Sequence, residues 1–136
     1  MDRRAYLRGV VGASVIGLSG CLSASGNSEY DIGMSMHAFD PAAVTVGVGD
    51  TVVWRNTSAH AHTVTAYGSQ LPEDAAFFSS GEFEDTQTAR DAWNNGTNGS
   101  LYQGDQFSHT FEVAGEYPYF CIPHERNGMT GTVVVE

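Results

Sequence analysis

Lysine is absent from this sequence of 136 residues, and six arginines face 16 acidic residues. Three of those arginines, Arg3, Arg4 and Arg8, crowd the first eight positions. Beyond the leader described below, only Arg55, Arg90 and Arg126 stand against 15 acids, because Asp2 falls in the leader, and the net charge is −12. Such a chain has no basic patch to neutralise phosphates, which excludes nucleic acid as a partner. The acids are spread along the whole domain rather than gathered. That distribution favours a generally solvated surface, as in proteins that work in high salt, over a docking face for one basic partner. Long apolar runs are missing too: Val10–Leu18 is too short to span a bilayer. Cysteine is scarce, with only Cys21 and Cys121. They allow at most one disulfide, but each sits in a separate specific context. No strong amphipathic helix is evident; Asp85–Trp93 has room for one or two helical turns.

The length suits one domain with a modest core. Residues 1–20 read as an export signal, with a positive start and a short apolar stretch. The pair Arg3-Arg4, followed by Ala-Tyr-Leu-Arg, resembles a twin-arginine signal. Leu18-Ser19-Gly20-Cys21 looks like a lipobox, which makes Cys21 the lipidation site. With no basic patch to assist, stable attachment calls for two acyl chains. Residues 21–29 then form a lipidated polar tether, and 30–136 the folded domain.

From Tyr30 onward the pattern is β. Period-2 stretches cover Tyr30–Met36, Ala43–Val48, Thr51–Asn56, His62–Ala66, Phe107–Val113, Glu116–Phe120 and Gly131–Glu136. Turns at Gly49-Asp50 and Ala114-Gly115 punctuate them, and glycine is abundant at 16 residues. An all-β, Greek-key β-sandwich is expected, with a long irregular insert at 67–105 between core strands. An insert of that length is usually a functional or mobile loop. Asn56, Asn95 and Asn98 open short glycosylation sequons, weak matches that arise often by chance.

The segment Cys121-Ile-Pro-His124-Glu-Arg-Asn-Gly-Met129 packs a thiolate, an imidazole and a thioether into one loop. Soft sulfur with imidazole suits copper. One loop supplies three ligands, so a fourth comes from elsewhere in the fold. His62 is the candidate, at the start of a short strand after the one containing Trp54. His60 shares its face in an extended strand, so periodicity alone leaves both open. Two His, one Cys and a long axial Met make the blue-copper (type 1) set. A site held between the preferences of Cu(I) and Cu(II) changes little on reduction, and four protein ligands leave no open position for a substrate. His109 lies between Phe107 and Phe111 and reads as a core residue. His37 reads as a surface-loop residue, and Met34 and Met36 as strand packing.

Cys-x2-His-x4-Met after Gly115-Glu-Tyr117-Pro-Tyr119-Phe120 resembles plastocyanin and amicyanin. Val48-Gly49-Asp50-Thr51-Val52-Val53-Trp54-Arg55-Asn56 resembles the strand preceding that family's first His. In the family this His lies eight residues after the Trp, which picks His62. The likeness spans about residues 40–66 and 101–136. Acidity, the Arg-Arg leader and the lipobox point more narrowly to the halocyanins, membrane-attached members from salt-loving archaea. The resemblance implies a cupredoxin-like, monomeric one-electron carrier, not an enzyme. It implies one type 1 copper ion on His62, Cys121, His124 and Met129. It also implies a lipid anchor on the extracytoplasmic side of the cell membrane and redox proteins of a membrane chain as partners. The alternative is a copper storage or delivery lipoprotein, against which a closed four-ligand set with a single Cys argues. A copper oxidase or nitrite reductase would need further His-rich sites. In the family, Ile122, Pro123 and Gly128 would form an apolar patch around a partly exposed His124. One position departs: Thr63 stands where the family commonly has an Asn that ties the two ligand loops together.

Overall fold

The computed structural model describes residues 30–136. The leader, the lipobox with Cys21 and the tether lie outside the described residues. Among the described residues eight strands form two four-stranded sheets: β1 (Ile32–Met34), β2 (Phe39–Asp40), β3 (Ala43–Val46), β4 (Thr51–Asn56), β5 (Thr65–Ala66), β6 (Gln106–Thr110), β7 (Gly115–Phe120) and β8 (Thr130–Val135). One sheet runs β2-β1-β4-β6 and the other β3-β8-β7-β5. β1 lies parallel to β4 and β3 parallel to β8; the other pairs are antiparallel. From β2 to β7 each connection crosses between sheets, so Gly49-Asp50 and Ala114-Gly115 turn corners of the sandwich rather than join hairpins. Gly49 and Gly115 carry φ of 93° and 143°, which a residue with a Cβ rarely adopts.

The β-sandwich expected from the sequence is present, and alternation explains it. In β4, Val52, Trp54 and Asn56 are buried while Thr51 is exposed. Trp54 meets Tyr119 of the opposite sheet edge-on at 5.3 Å and Phe107 of its own sheet at 5.6 Å. Fully burying such side chains contributes about 1.5–3 kcal/mol each. The strands are shorter than their sequence pattern. β3 stops at Val46, and Val48 is 53% exposed, because the chain is already turning towards the other sheet. Met34 is buried, but Met36 is 55% exposed beyond the end of β1, so it is not the packing residue its position suggested.

The insert is neither irregular throughout nor detached. Residues 78–80 run along β5: Ala66 N donates to Phe78 O and Ser80 N to Val64 O, at 3.0 and 2.7 Å. Phe78 enters the core. Helix α1 (Thr86–Asn94) follows, its first turn capped by Asp85, whose Oδ1 accepts from Thr88 N at 2.7 Å. Thr86 Oγ1 accepts from Gly68 N and donates to Ala66 O, each at 2.8 Å, which docks the helix on the end of β5. Among the described residues no helix is long and apolar enough to cross a membrane.

Candidate metal centre

Three segments at one end of the sandwich build the site. The first is the loop after β4. Asn56 ends that strand pointing inward, with no exposed surface. Its Nδ2 donates to His60 O (2.6 Å) and Leu101 O (2.8 Å), and its Oδ1 accepts from Ser58 N (2.8 Å). This side chain shapes the turn that delivers His62. His62 lies outside β5, contrary to the strand expected over His62–Ala66. It forms an isolated two-way bridge with Leu101 from the end of the insert, at 3.1 and 2.7 Å. The burial of Asn56 also removes the first sequon from any surface role.

The second segment is the loop from Cys121 to Met129. β7 delivers Cys121 with no exposed surface. A 3-10 turn, Ile122–Asn127, follows at once, with Pro123 in its first turn. That helix eclipses residues i and i+3, so His124 returns to the side of Cys121. Gly128 ends it at φ 82°. Cys121 N then donates to Met129 O at 3.0 Å and Met129 N to His124 O at 3.2 Å, closing the loop at its neck. Met129 is buried at this neck.

The fold brings three ligand atoms to one point. His62 Nδ1 and His124 Nδ1 are 3.1 Å apart, and Cys121 Sγ lies 3.6 and 3.4 Å from them. An ion held about 2.0–2.1 Å from nitrogen and 2.3 Å from sulfur has ligand edges of roughly 3 to 4 Å. The residues therefore fit a bound copper ion in size as well as in donor type. Burial, helped by the neighbouring His124, pushes the His62 pKa down to about 4, so its lone pair is free at neutral pH. Burial pushes the Cys121 thiol up to about 11, against the hydrogen bond from Thr63 N. Metal binding must then expel a proton from the thiol. His60 does not converge with this set; it is exposed, and its carbonyl anchors the loop instead.

Thr63 keeps the tie that an Asn was expected to make. Its N donates to Cys121 Sγ at 3.4 Å, and its Oγ1 accepts from Ile122 N at 2.8 Å. One residue thus joins both ligand segments beside the sulfur.

The third segment is the insert, which reaches the site by a route that sequence reasoning missed. Arg90 Nη1 on α1 donates to Glu125 Oε1 at 2.8 Å, and Tyr67 Oη donates to Glu125 Oε2 at 2.6 Å. Arg90 also stands over the Phe120 ring at 4.4 Å, and Tyr67 stacks on it at 4.3 Å. Glu125 and Phe120 flank the ligand pair in sequence. The guanidinium holds the Glu125 carboxyl below its ordinary pKa. Ile122 and Pro123 line a mixed cleft with Arg90, Trp93, Asn94, Glu125 and Arg126. On another side His37 and His60 stand beside the His124 ring, with centroids at 5.1 and 6.2 Å. His37 is a surface residue as expected, but it is part of this neighbourhood. His109 is half-buried against Phe78 and Phe111 and outside the converging group.

Comparison with known proteins agrees with this geometry. Residues 26–136 match the family described as copper binding proteins, plastocyanin/azurin family. The chain is 33% identical over 126 residues to a chloroplastic plastocyanin of Tetradesmus obliquus, covering 92% of this chain and 77% of that one. It is 35% identical over 100 residues to halocyanin of Natronomonas pharaonis, covering 73% of this chain and 48% of the relative. An oxidised single-site mutant of amicyanin superposes with a TM-score of 0.57 at 26% identity, covering 84% of this chain and 88% of that one. Fold, donor set and similarity converge: the chain belongs to the copper-binding plastocyanin/azurin family, as a type 1 copper electron carrier rather than an enzyme.

Proposed function

We propose that this protein is a lipid-anchored one-electron carrier on the outer face of the cell membrane, with His62, Cys121, His124 and Met129 holding its copper. The observation that carries the copper part of the reading is the convergence of His62 Nδ1, His124 Nδ1 and the buried Cys121 Sγ within 3.1–3.6 Å of one another. Bound copper supplies the one-electron Cu(I)/Cu(II) couple. The chain's own residues do the rest. Cys121 and His62 are withdrawn from water. Thr63 N donates to the sulfur and so favours its anionic form. His124 is the ligand with an outer edge near solvent and is the natural route for electrons. Thr63, Asn56 and the Cys121–Met129 neck hold the ligand segments in place, so that oxidation state changes demand little movement. Cys21, beyond a twin-arginine leader, is the anchor. The partners are redox proteins of a membrane electron-transport chain, met by a monomer.

Absorbance and electron spin resonance of the copper-loaded chain test the site. An intense blue thiolate-to-copper band is expected, and Cys121→Ser abolishes it, because a hydroxyl is a poor, hard substitute. A blue Cys121→Ser protein would sink the assignment. Cys21→Ala should release the protein from membranes with its colour intact. Retention of that variant on membranes washed in high salt would rule out the lipid anchor. Replacing Arg3 and Arg4 with Lys should impair export; normal export would point to the general secretory route.

A further inference from the structure

The ligand-bearing end of the sandwich carries two more imidazoles than the copper set uses. His37 and His60 are both exposed and lie in different loops, yet their ring centroids are 6.0 Å apart. With the His124 ring they form a triangle whose other sides are 5.1 and 6.2 Å. With metal–nitrogen bonds of about 2.0–2.1 Å, two imidazoles on one ion have ring centroids roughly 5 to 6.5 Å apart. The 6.0 Å between His37 and His60 falls in that window. The two loops are also fixed. Ser35 N and Ser35 Oγ both donate to Ala38 O, closing a tight turn around His37. His60 N donates to Ser58 Oγ at 3.2 Å, and His60 O accepts from the buried Asn56. The pair is therefore presented by ordered backbone rather than by a loose tail.

We propose that His37 and His60 form a surface capture site for a copper ion, from which the ion passes along His124 to the buried Cys121 centre. The inference rests on the copper reading of that centre. His124 connects the two positions: its ring stands beside His37, while its Nδ1 lies 3.4 Å from Cys121 Sγ. Cys121 has no exposed surface, so an ion from solvent has no direct approach to the sulfur. The abundant negative charge of the domain raises the local concentration of cations around it. Imidazole is a ligand that Cu(II) favours strongly among divalent ions. In the transfer the bonds from His37 and His60 to copper break. Bonds from His62 and His124 replace them. The copper–sulfur bond forms as the Cys121 S–H bond breaks, and its proton goes to solvent. The oxidation state of copper does not change.

The test uses the full chain stripped of metal, mixed with one equivalent of Cu(II) in a stopped-flow spectrometer, with growth of the blue band as the signal. The double variant His37→Ala/His60→Ala should load at least about tenfold more slowly and reach the same final absorbance and potential. Both side chains are exposed, so the equal endpoint also reports an intact fold. The second measurement adds a further equivalent of Cu(II) to the copper-loaded protein. Electron spin resonance should show a second, non-blue Cu(II) signal in the wild type that is lost in the double variant; Cys21 is present in both and cancels. Equal loading rates, or a second signal that survives the double variant, would overturn the capture site. A wild-type chain that never turns blue would instead overturn the type 1 reading, so the two failures are distinct.

Discussion

Replacing Asn56 with Ala removes a side chain that is fully buried and fully bonded. Its amide donates to Leu101 O and His60 O at 2.8 and 2.6 Å, and its oxygen accepts from Ser58 N and Ser58 Oγ at 2.8 and 2.9 Å. The Leu101 bond is buried; the other three are partly open to water. A buried acceptor left without a partner costs about 1–3 kcal/mol, and each bond that water can partly replace costs about 0.5–1. The metal-free protein should therefore lose about 2.5–6 kcal/mol. In a domain of roughly 100 residues that lowers Tm by about 10–30 °C. The copper form should lose more. Without metal, the loop from residue 57 to 61 can relax after the substitution and recover part of the cost. With copper bound, His62 must stay in place and the full cost stands. The difference between the two losses equals the copper-binding free energy lost. About 1 kcal/mol, roughly a fivefold weaker Kd, is expected. Circular-dichroism melts of both forms, with a chelator competition for copper affinity, measure the two quantities. Equal losses in the two forms would confine Asn56 to the fold. A loss below about 1 kcal/mol in both would refute the hydrogen-bond accounting itself.

Three further outcomes follow from the same geometry. Arg90 and Glu125 side chains are each 32% exposed, so their ion pair deserves a surface value; a double-mutant cycle with Arg90→Ala and Glu125→Gln should give a coupling of about 0.5–1 kcal/mol, and strictly additive single effects would refute the clamp. Burial holds His109 below its ordinary pKa of 6.5, so the unfolded chain takes up a proton before the folded one does. That contribution to stability is complete above pH 6.5 and is lost as pH falls from there towards the folded value. His109→Phe should flatten that part of the pH–stability curve in denaturant titrations, and an unchanged slope would show that the group is solvated. Thr63→Val strips Ile122 N of its 2.8 Å acceptor beside the sulfur. The redox potential should shift and Thr63→Ser should restore it; an unmoved potential in Thr63→Val would sever the link.

The ligand loop was legible because its chemistry is local. Cys121, His124 and Met129 lie within nine residues, and a single 3-10 turn with a glycine stop suffices to fold them together. The alternation of β4 was equally plain, and it carried an unused signal: a polar residue, Asn56, at the third inward position. A buried amide at a strand end demands partners, and those partners are the turn before His62. What stayed hidden depends on contacts between distant segments. Nothing local to His62 marks Leu101 as its bridging partner, because the bridge depends on where the insert ends. Arg90 and Glu125 are 35 residues apart. The insert looked irregular because its ordered part, residues 78–80 along β5, is too short for a period. Its helix reads weakly because only Ala89 is buried. The strand ends were overrun for one reason. Apolar alternation continued through Val48, but the change of sheet exposes that side chain.

The centre is held by contacts that do not depend on metal. His62 is fixed by a two-way backbone bridge to Leu101 and by Ser58 Oγ, 3.1 Å from its Nε2. Cys121 is fixed by its bond to Met129 O and by Thr63. His124 donates its N to Cys121 O at 3.2 Å, and the next residue is tied to α1 through Arg90. These supports come from the insert, through Leu101 and α1, and from the opposite ligand segment. A change of copper charge would have to break one of these supports before the ligands could move far. For an electron carrier that resistance is useful, because the geometry then costs little to carry from one oxidation state to the other. It also explains the form of the insert. Residues 67–105 close the edge of β5, supply the Leu101 bridge and present Arg90 to Glu125. They brace the copper end of the sandwich, and their acidic, solvated outer surface is compatible with that role.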